Sequence, residues 1–577
     1  MKLIDLFTKN LEPKQKQYEV LRAAAFKEGS IEDIAKCFGY TPQSVRVLIN
    51  RVLSGKQQLF PKVKRGPKGP STSQETIQLI IQLRRKRRLS SREIVAELNQ
   101  SNISIGVRTV ERILADAGFP KLPRRTHNER GISKEGTIIP SRSVNLDLKE
   151  LEPFRADCHV AGIFLFLPYI LESGILDIVK QCNLPESSDI GKLQASLSML
   201  LLKLIGNERL SHIKQYNTDM GFGIFAGLNV LPKPAYMCSY SCRTESSILM
   251  NFQRKIVENF RKNYPDLYQG NTINLDFHSI PHFGDESEME RVWCGARGKT
   301  LKGANTFFAQ DGKSDSIIYN RADIKRRESS EEIKKFVDYW LEVKGILNET
   351  LVFDSKLTRY DILYELDKDD IKFITVRIKS KKLIDETLKI PEKDWERVYL
   401  PIPKRKHKYV KVYQNRVALI KDKKAFRQLI IKDHGRAEPT FIISNNEQMK
   451  GKDLLIIYAK RWHIESKLSE LINFFNMNSL SSPIMIRIHF DILWTVIADT
   501  LYHLIAKDLR RFEKCRAKKV FKQFIDMPGQ IIYDGKTFTI KIRKRASTPI
   551  LLGVKKLNEE IIVPWLDNTP LKIVWAP

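Results

Sequence analysis

Cysteine is scarce in this chain: there are seven in 577 residues, an odd number and scattered. That excludes a disulfide framework as the organising principle and fits a reduced, intracellular environment. Cys238 and Cys242 form a lone C-x3-C with no second pair at zinc-site spacing, so a structural zinc module is not expected. Long uncharged apolar runs are missing too. The two most apolar stretches, 160–179 and 490–506, carry Glu172 and Asp177 in one and Asp491, Asp499 and His503 in the other. Both read as buried helices, and no membrane partner is expected. The N-terminal MKLIDLFTKNLEPKQKQ has charges where a signal peptide needs an apolar core, so secretion is not expected either. Acidic residues are in deficit: 67 Asp plus Glu face 98 Lys plus Arg, for a net charge of +31. With 42% of residues hydrophobic, that excess decorates folded domains rather than a disordered tail. So lopsided a balance points to a polyanionic partner, and nucleic acid comes ahead of membrane because no amphipathic basic anchor stands out.

What is present begins with a compact helical pattern. Residues 14–55 read as three short helices, over 14–27, 31–37 and 42–53, with Gly39 as a breaker, Thr41 as an N-cap and Pro42 at the first helical position. In the third helix Val45, Leu48, Ile49 and Val52 form an apolar stripe, leaving Gln43, Ser44, Arg46, Asn50 and Arg51 outward, where they can meet base edges and phosphates. This is a helix-turn-helix pattern with 42–53 as recognition helix. A second unit repeats it. Ser90 and Glu93 form a capping box, and the helix from Val107 keeps Val110, Ile113 and Leu114 on one face with Arg108, Thr109 and Arg112 exposed. Between the two, 61–70 is rich in proline and glycine. Its Arg65-Gly-Pro core resembles a minor-groove AT-hook, and reads equally as a basic linker held near DNA by charge alone.

The central region changes character. TINLDF at 272–277 has strand composition with Asp276 near its end; strands at 305–309 and 316–319 follow, then a helix at 330–344, a strand ending at Asp354, a helix at 360–366 and a strand at 372–377. That is the order of the ribonuclease-H-like fold, in which the first and fourth strand ends lie side by side and would bring Asp276 and Asp354 together. A later helix supplies a third acid: Tyr458, Arg461 and Glu465 fall on one flank beside Ile464, Leu468, Leu471 and Phe475, and Tyr458 and Arg461 are expected to bind DNA by positioning its phosphates. Glu470 is expected to face solvent, and Asp311 and Asp315 to serve a hairpin turn. His278 and His282 are read as surface histidines. Three carboxylates in this order suit a site of two divalent cations, Mg²⁺ with Mn²⁺ able to substitute, that performs phosphoryl transfer.

At these residues the chain resembles the DDE transposases of bacterial and archaeal insertion sequences, in the group with a β-rich insertion before the glutamate. The resemblance rests on Asp276 in NLDFHSI, Asp354 in LVFDSKL, and the spacing of Tyr458, Arg461 and Glu465, and covers roughly 195–510. It implies Asp276, Asp354 and Glu465 as catalytic and metal-holding acids, duplex DNA as partner (terminal inverted repeats and target), and a homodimer acting on paired ends. It also implies a cytoplasmic, nucleoid-associated prokaryotic setting. The family's pattern places a lysine seven residues after the glutamate. Here Ile472 stands there, and Lys467 or Lys460 is the expected substitute.

The expected fold class is multidomain α+β. The expected segments are helix-turn-helix at 1–58, a basic linker at 59–74, a second helix-turn-helix at 75–130, a linker at 131–150 and a helical domain at 151–268. A ribonuclease-H-like core at 269–377 and 452–510 is interrupted by a β-rich insertion at 378–451, and a basic helix with a β appendix occupies 511–577. The basic run 404–408 in the insertion reads as a phosphate-facing platform or as a solvated edge kept charged against aggregation. The functional expectation is metal-dependent DNA strand cleavage and strand transfer. A DNA-binding regulator descended from such an enzyme, with an inert nuclease fold, is the alternative. An RNA nuclease is disfavoured because tandem helix-turn-helix units read duplex DNA.

Overall fold

The computed structural model describes residues 12–58, 60, 72–120, 122, 146–283, 289–322, 324–403, 405–479 and 484–577. The chain divides after Thr76 into two compact units. In the first, α1 (Pro13–Ala25), α2 (Ile31–Phe38) and α3 (Pro42–Leu53) close around Val20, Ala23, Ile34, Phe38, Val45 and Leu48. Local chemistry sets the ends of these helices. Ser30 and Asp33 form a capping box that opens α2, Gly39 closes it at φ 63°, and Thr41 caps α3 ahead of Pro42.

The division falls within the first turn of α4 (Gln74–Arg87), whose remainder packs in the second unit with α5 (Ser91–Gln100) and α6 (Val107–Asp116) through Ile80, Ile94, Leu98, Val110, Ile113 and Leu114. The expected Ser90–Glu93 capping box starts α5. Further on come α7 (Lys192–Leu204) and α8 (Ser246–Asn263). The segment expected to be helical also holds a strand, β1 (Phe154–Cys158), whose partner lies far along the chain. A five-stranded sheet runs β1-β12-β13-β15-β14, where β12 is Gly529–Tyr533, β13 Phe538–Arg543, β14 Ile561–Val563 and β15 Thr569–Ala576, and Phe154 pairs with Tyr533.

The large sheet has ten strands. Its centre is β2 (Thr272–Pro281), antiparallel to β4 (Lys299–Asp311) on one side and parallel to β6 (Thr350–Phe353) on the other. Beyond β6 lies β7 (Phe373–Val376), also parallel; β5 (Ile317–Arg321) and an unexpected strand, β3 (Glu290–Cys294), both pair with β4. The helices α9 (Glu332–Lys344) and α10 (Tyr360–Lys368) connect β5, β6 and β7. Strands β8 (Glu396–Tyr399), β9 (Tyr409–Val417), β10 (Phe426–Lys432) and β11 (Thr440–Ser444) do not form a separate layer: β11 pairs antiparallel with β7, and the order continues β11-β10-β9-β8. β10 carries no clean alternation: Leu429, Ile430 and Ile431 form a continuous apolar run behind Arg427 and Gln428.

Three helices follow the sheet's last strand and matter for the site: α11 (Gly451–Lys460), α12 (Trp462–Asn473) and α13 (Met485–Asp508). The last is apolar all round and buried along nearly its whole length, as a helix in the middle of a large core must be. Among the described residues no single helix is long and apolar enough to cross a membrane; the bent pair Ala161–Ser173 and Ile175–Gln181 owes its apolar character to the same core.

Candidate active site

Strand register does the first part of the assembly. Leu275 on β2 lies opposite Phe353 on β6, so Asp276 and Asp354, the next residues along two parallel strands, leave the paired region at the same end of the sheet. Asp276 is 9% exposed. Its Oδ1 accepts the Phe277 backbone N–H at 2.8 Å and its Oδ2 accepts Arg461 Nη1–H at 2.9 Å. Asp354 sits in the turn that follows β6, where its Oδ1 accepts the Lys356 backbone N–H at 3.0 Å and its carbonyl accepts the Thr358 hydroxyl at 3.2 Å.

The third acid arrives through a helix break. α11 ends at Lys460, Arg461 forms the junction, and α12 begins at Trp462, so the expected continuous helix is two helices meeting at the arginine. Arg461 uses both arms of its fork. Nη2–H reaches Glu465 Oε1 at 2.7 Å while Nη1–H holds Asp276. Glu465 remains exposed and Arg461 is largely covered. Tyr458 is half-buried; burial raises its phenol, and Arg461 beside it opposes that rise. Burial also pushes the Asp276 carboxyl up to about 6, with Arg461 pulling it down and Asp354 and Glu465 pushing further up. A buried acid crowded by two others is an electrostatic liability that a divalent cation would relieve.

Among the described residues no group of three or more His, Cys, Asp and Glu side chains is gathered closely enough to hold a metal ion. Arg461 spans the space between Asp276 and Glu465 instead. The donor chemistry fits a hard cation nonetheless, since Asp276, Asp354 and Glu465 offer only carboxylate oxygens.

Two expectations fail on α12. Glu470 does not face solvent: it is 8% exposed and its Oε1 accepts the Ala517 N–H at 2.7 Å. Nor does Lys467 point toward a phosphate. Its ammonium is buried, 3.1 Å from both oxygens of Asp499 and 3.4 Å from Glu470. The reason is that α12 is covered twice, by the main core on one side and by α13 with the segment around Ala517 on the other. Ile472 packs against the core. His278 is not a free surface residue either: it is half-buried, hydrogen-bonds Asn478 at 2.8 Å, and burial pushes its imidazole down.

Of the residues expected to meet DNA, Gln43, Ser44, Arg46, Asn50 and Arg51 all lie exposed on α3, and Arg46 pairs with Glu32 at 2.8 Å. Arg108 and Arg112 are exposed on α6, whereas Thr109 is half-buried. Arg65 lies outside the described residues. Lys356 was missed. Its ammonium stands 4.6 Å from the centre of the Phe277 ring and 3.4 Å from Asn305 Oδ1, beside Asp354; only its position two residues after that acid could have flagged it.

Residues 271–501 match the family described as transposase DDE domain. This segment is similar to a transposase DDE domain. That domain takes in β2 through α11, α12 and most of α13, and with them all three acids. No curated protein matches the chain. Similar solved structures include a piggyBac transposase synaptic complex with hairpin DNA, at 10% identity over 64% of this chain and 82% of that one with a TM-score of 0.34. Another is a Mos1 transposase paired-end complex with left transposon end, at 11% identity over 63% and 78% with a TM-score of 0.14.

Proposed function

We propose that the protein is a DNA transposase that cleaves and joins DNA strands at a site built on Asp276, Asp354 and Glu465 in a ribonuclease-H-like core. The observation that carries the reading is the in-register placement of Asp276 and Asp354 just past the last paired residues of two adjacent parallel strands, with Glu465 tied to Asp276 through the Arg461 fork. The three carboxylates would hold Mg²⁺, with Mn²⁺ able to substitute. When bound, the cations lower the pKa of an attacking water or 3′-hydroxyl and stabilise the departing oxygen. The chain's own residues prepare that chemistry. The turn hydrogen bonds at Asp354 fix its carboxylate against β6, Arg461 orients Asp276 and Glu465, and Tyr458 walls the site beside it.

On this reading Gln43, Ser44, Arg46, Asn50 and Arg51, together with Arg65, Arg108, Thr109 and Arg112, bind the duplex of the element's ends, and two copies act on paired ends. Replacing Asp354 with Asn tests the assignment. End binding should stay within a few fold while Mg²⁺-dependent cleavage of a duplex carrying the element end disappears. Cleavage by Asp354→Asn at the wild-type rate would remove the assignment.

A further inference from the structure

We infer that Lys356 contacts a non-bridging oxygen of the phosphate being cut, supplying the cation that the glutamate helix does not; this rests on the transposase reading. At that helix two candidate cations and the family's lysine position fail on geometry. Lys467 is locked between Asp499 and Glu470 in the core. At the family's lysine position Ile472 packs into the core. Arg461 is committed to two carboxylates.

Lys356 differs from all of these. Its backbone N–H is bonded to Asp354 Oδ1, so the turn that fixes the acid also fixes where the lysine leaves the chain. The side chain then runs along the face of Phe277, the residue after Asp276, to reach Asn305 on β4. An ammonium has three donors, and a single 3.4 Å contact with one amide oxygen uses one of them weakly. No carboxylate lies within ion-pair distance of Lys356 among the described residues, although Asp354 and Asp276 both act on its charge. The result is a cation braced by a ring and an amide, with donors left over, at the carboxylate end of the sheet. A phosphate oxygen brought to the acids would meet it.

The test uses the full chain and end duplexes in which single linkages around the cut are replaced by uncharged methylphosphonates. With ordinary DNA, Lys356→Ala should slow single-turnover cleavage about 10- to 100-fold, the loss of one charge-assisted hydrogen bond, while end affinity changes by less than about threefold. Lys356→Arg should recover most of the rate, and the melting temperature should not move. At the contacted linkage the methylphosphonate should slow the wild type without slowing Lys356→Ala further. Penalties that add at every linkage, or a rate loss that tracks a fall in melting temperature, would overturn the contact. Wild-type cleavage by Lys356→Ala beside an inactive Asp354→Asn would remove this inference alone. A wild type that cleaves no end duplex, indistinguishable from Asp354→Asn, would remove the transposase reading and this inference with it.

Discussion

Helix α12 sets a basic side chain among carboxylates at two places, and the two clusters solve opposite problems. At its start Arg461 bridges Asp276 and Glu465 near the surface, with the glutamate in water. One turn and a half later Lys467 bridges Asp499 and Glu470 with all three side chains buried. The buried cluster is closed: Glu470 also accepts Ala517 N–H, so the charges there answer one another and the helix is pinned to α13 and the C-terminal segment. The outer cluster is open, since Glu465 has water to turn to and Asp276 is held above its normal carboxyl range. Closed clusters anchor, whereas an open one keeps unmet charge for a ligand.

The largest effect that would break this contrast is on stability. Lys467→Met leaves two carboxylates buried without their cation and should cost about 3–5 kcal/mol, seen as a large fall in the denaturation midpoint. Arg461→Met should lower cleavage by about 10²–10³ while moving the midpoint little, because Glu465 can rehydrate and Asp276 can take a proton. Equal destabilisation by the two would show that both clusters are structural. Replacing Lys467, Asp499 and Glu470 together by Met, Leu and Gln should restore most of the lost stability, since a well-packed apolar set can stand in for a buried ion cluster.

The outer cluster was legible in the sequence and the inner one was not. Asp354 ends a run of strand-forming residues and Asp276 stands near the end of another, which the fold extends to Pro281, and pairing by parallel register followed from the order of elements. The Tyr458, Arg461 and Glu465 spacing pointed to one helix flank even though the chain breaks at the arginine. Glu470 and Lys467 were misplaced because periodicity describes one apolar stripe. It cannot reveal a second cover contributed by residues near 517, any more than it could show β1 finding β12 at the other end of the chain. Lys356 was hidden for a different reason: a lysine in a turn is the commonest kind of surface residue, and only the ring beneath it and the acids beside it set it apart.

A smaller effect sharpens the electrostatics of the open cluster. Asp276 has a folded-state pKa raised to about 6. Relative to the unfolded chain, its contribution to stability is fully present below about pH 4 and is lost as pH rises through about 6. In metal-free buffer at pH 7, Asp276→Asn should therefore stabilise the protein by about 1–3 kcal/mol while abolishing cleavage. The gain should shrink toward zero as pH falls from 7 to 4. A gain independent of pH would mean that burial of the ionised carboxylate is not its source. Mg²⁺ should narrow the difference, because the wild-type acids then have the cation they lack.

The smallest effect comes from an ion pair that is neither closed nor crowded. Arg46 meets Glu32 at 2.8 Å with both side chains more than half exposed, so water already satisfies each partner. Such a pair contributes about 0–1 kcal/mol, and Arg46→Ala should leave the thermal midpoint within about 2 °C of wild type. If α3 lies on DNA as proposed, the same change removes a phosphate contact. The slope of log affinity against log salt should then fall by about 0.9, with affinity lost roughly equally on end and unrelated duplexes. Titrations of both duplexes across a salt series measure it. A loss confined to the end sequence would place Arg46 on a base edge, and an unchanged slope would remove it from the interface. Lys467 and Arg46 thus bracket what an ion pair does in this chain: buried, it sets stability and touches no ligand, while exposed it leaves stability alone and is available to the polyanion that the excess of basic residues calls for.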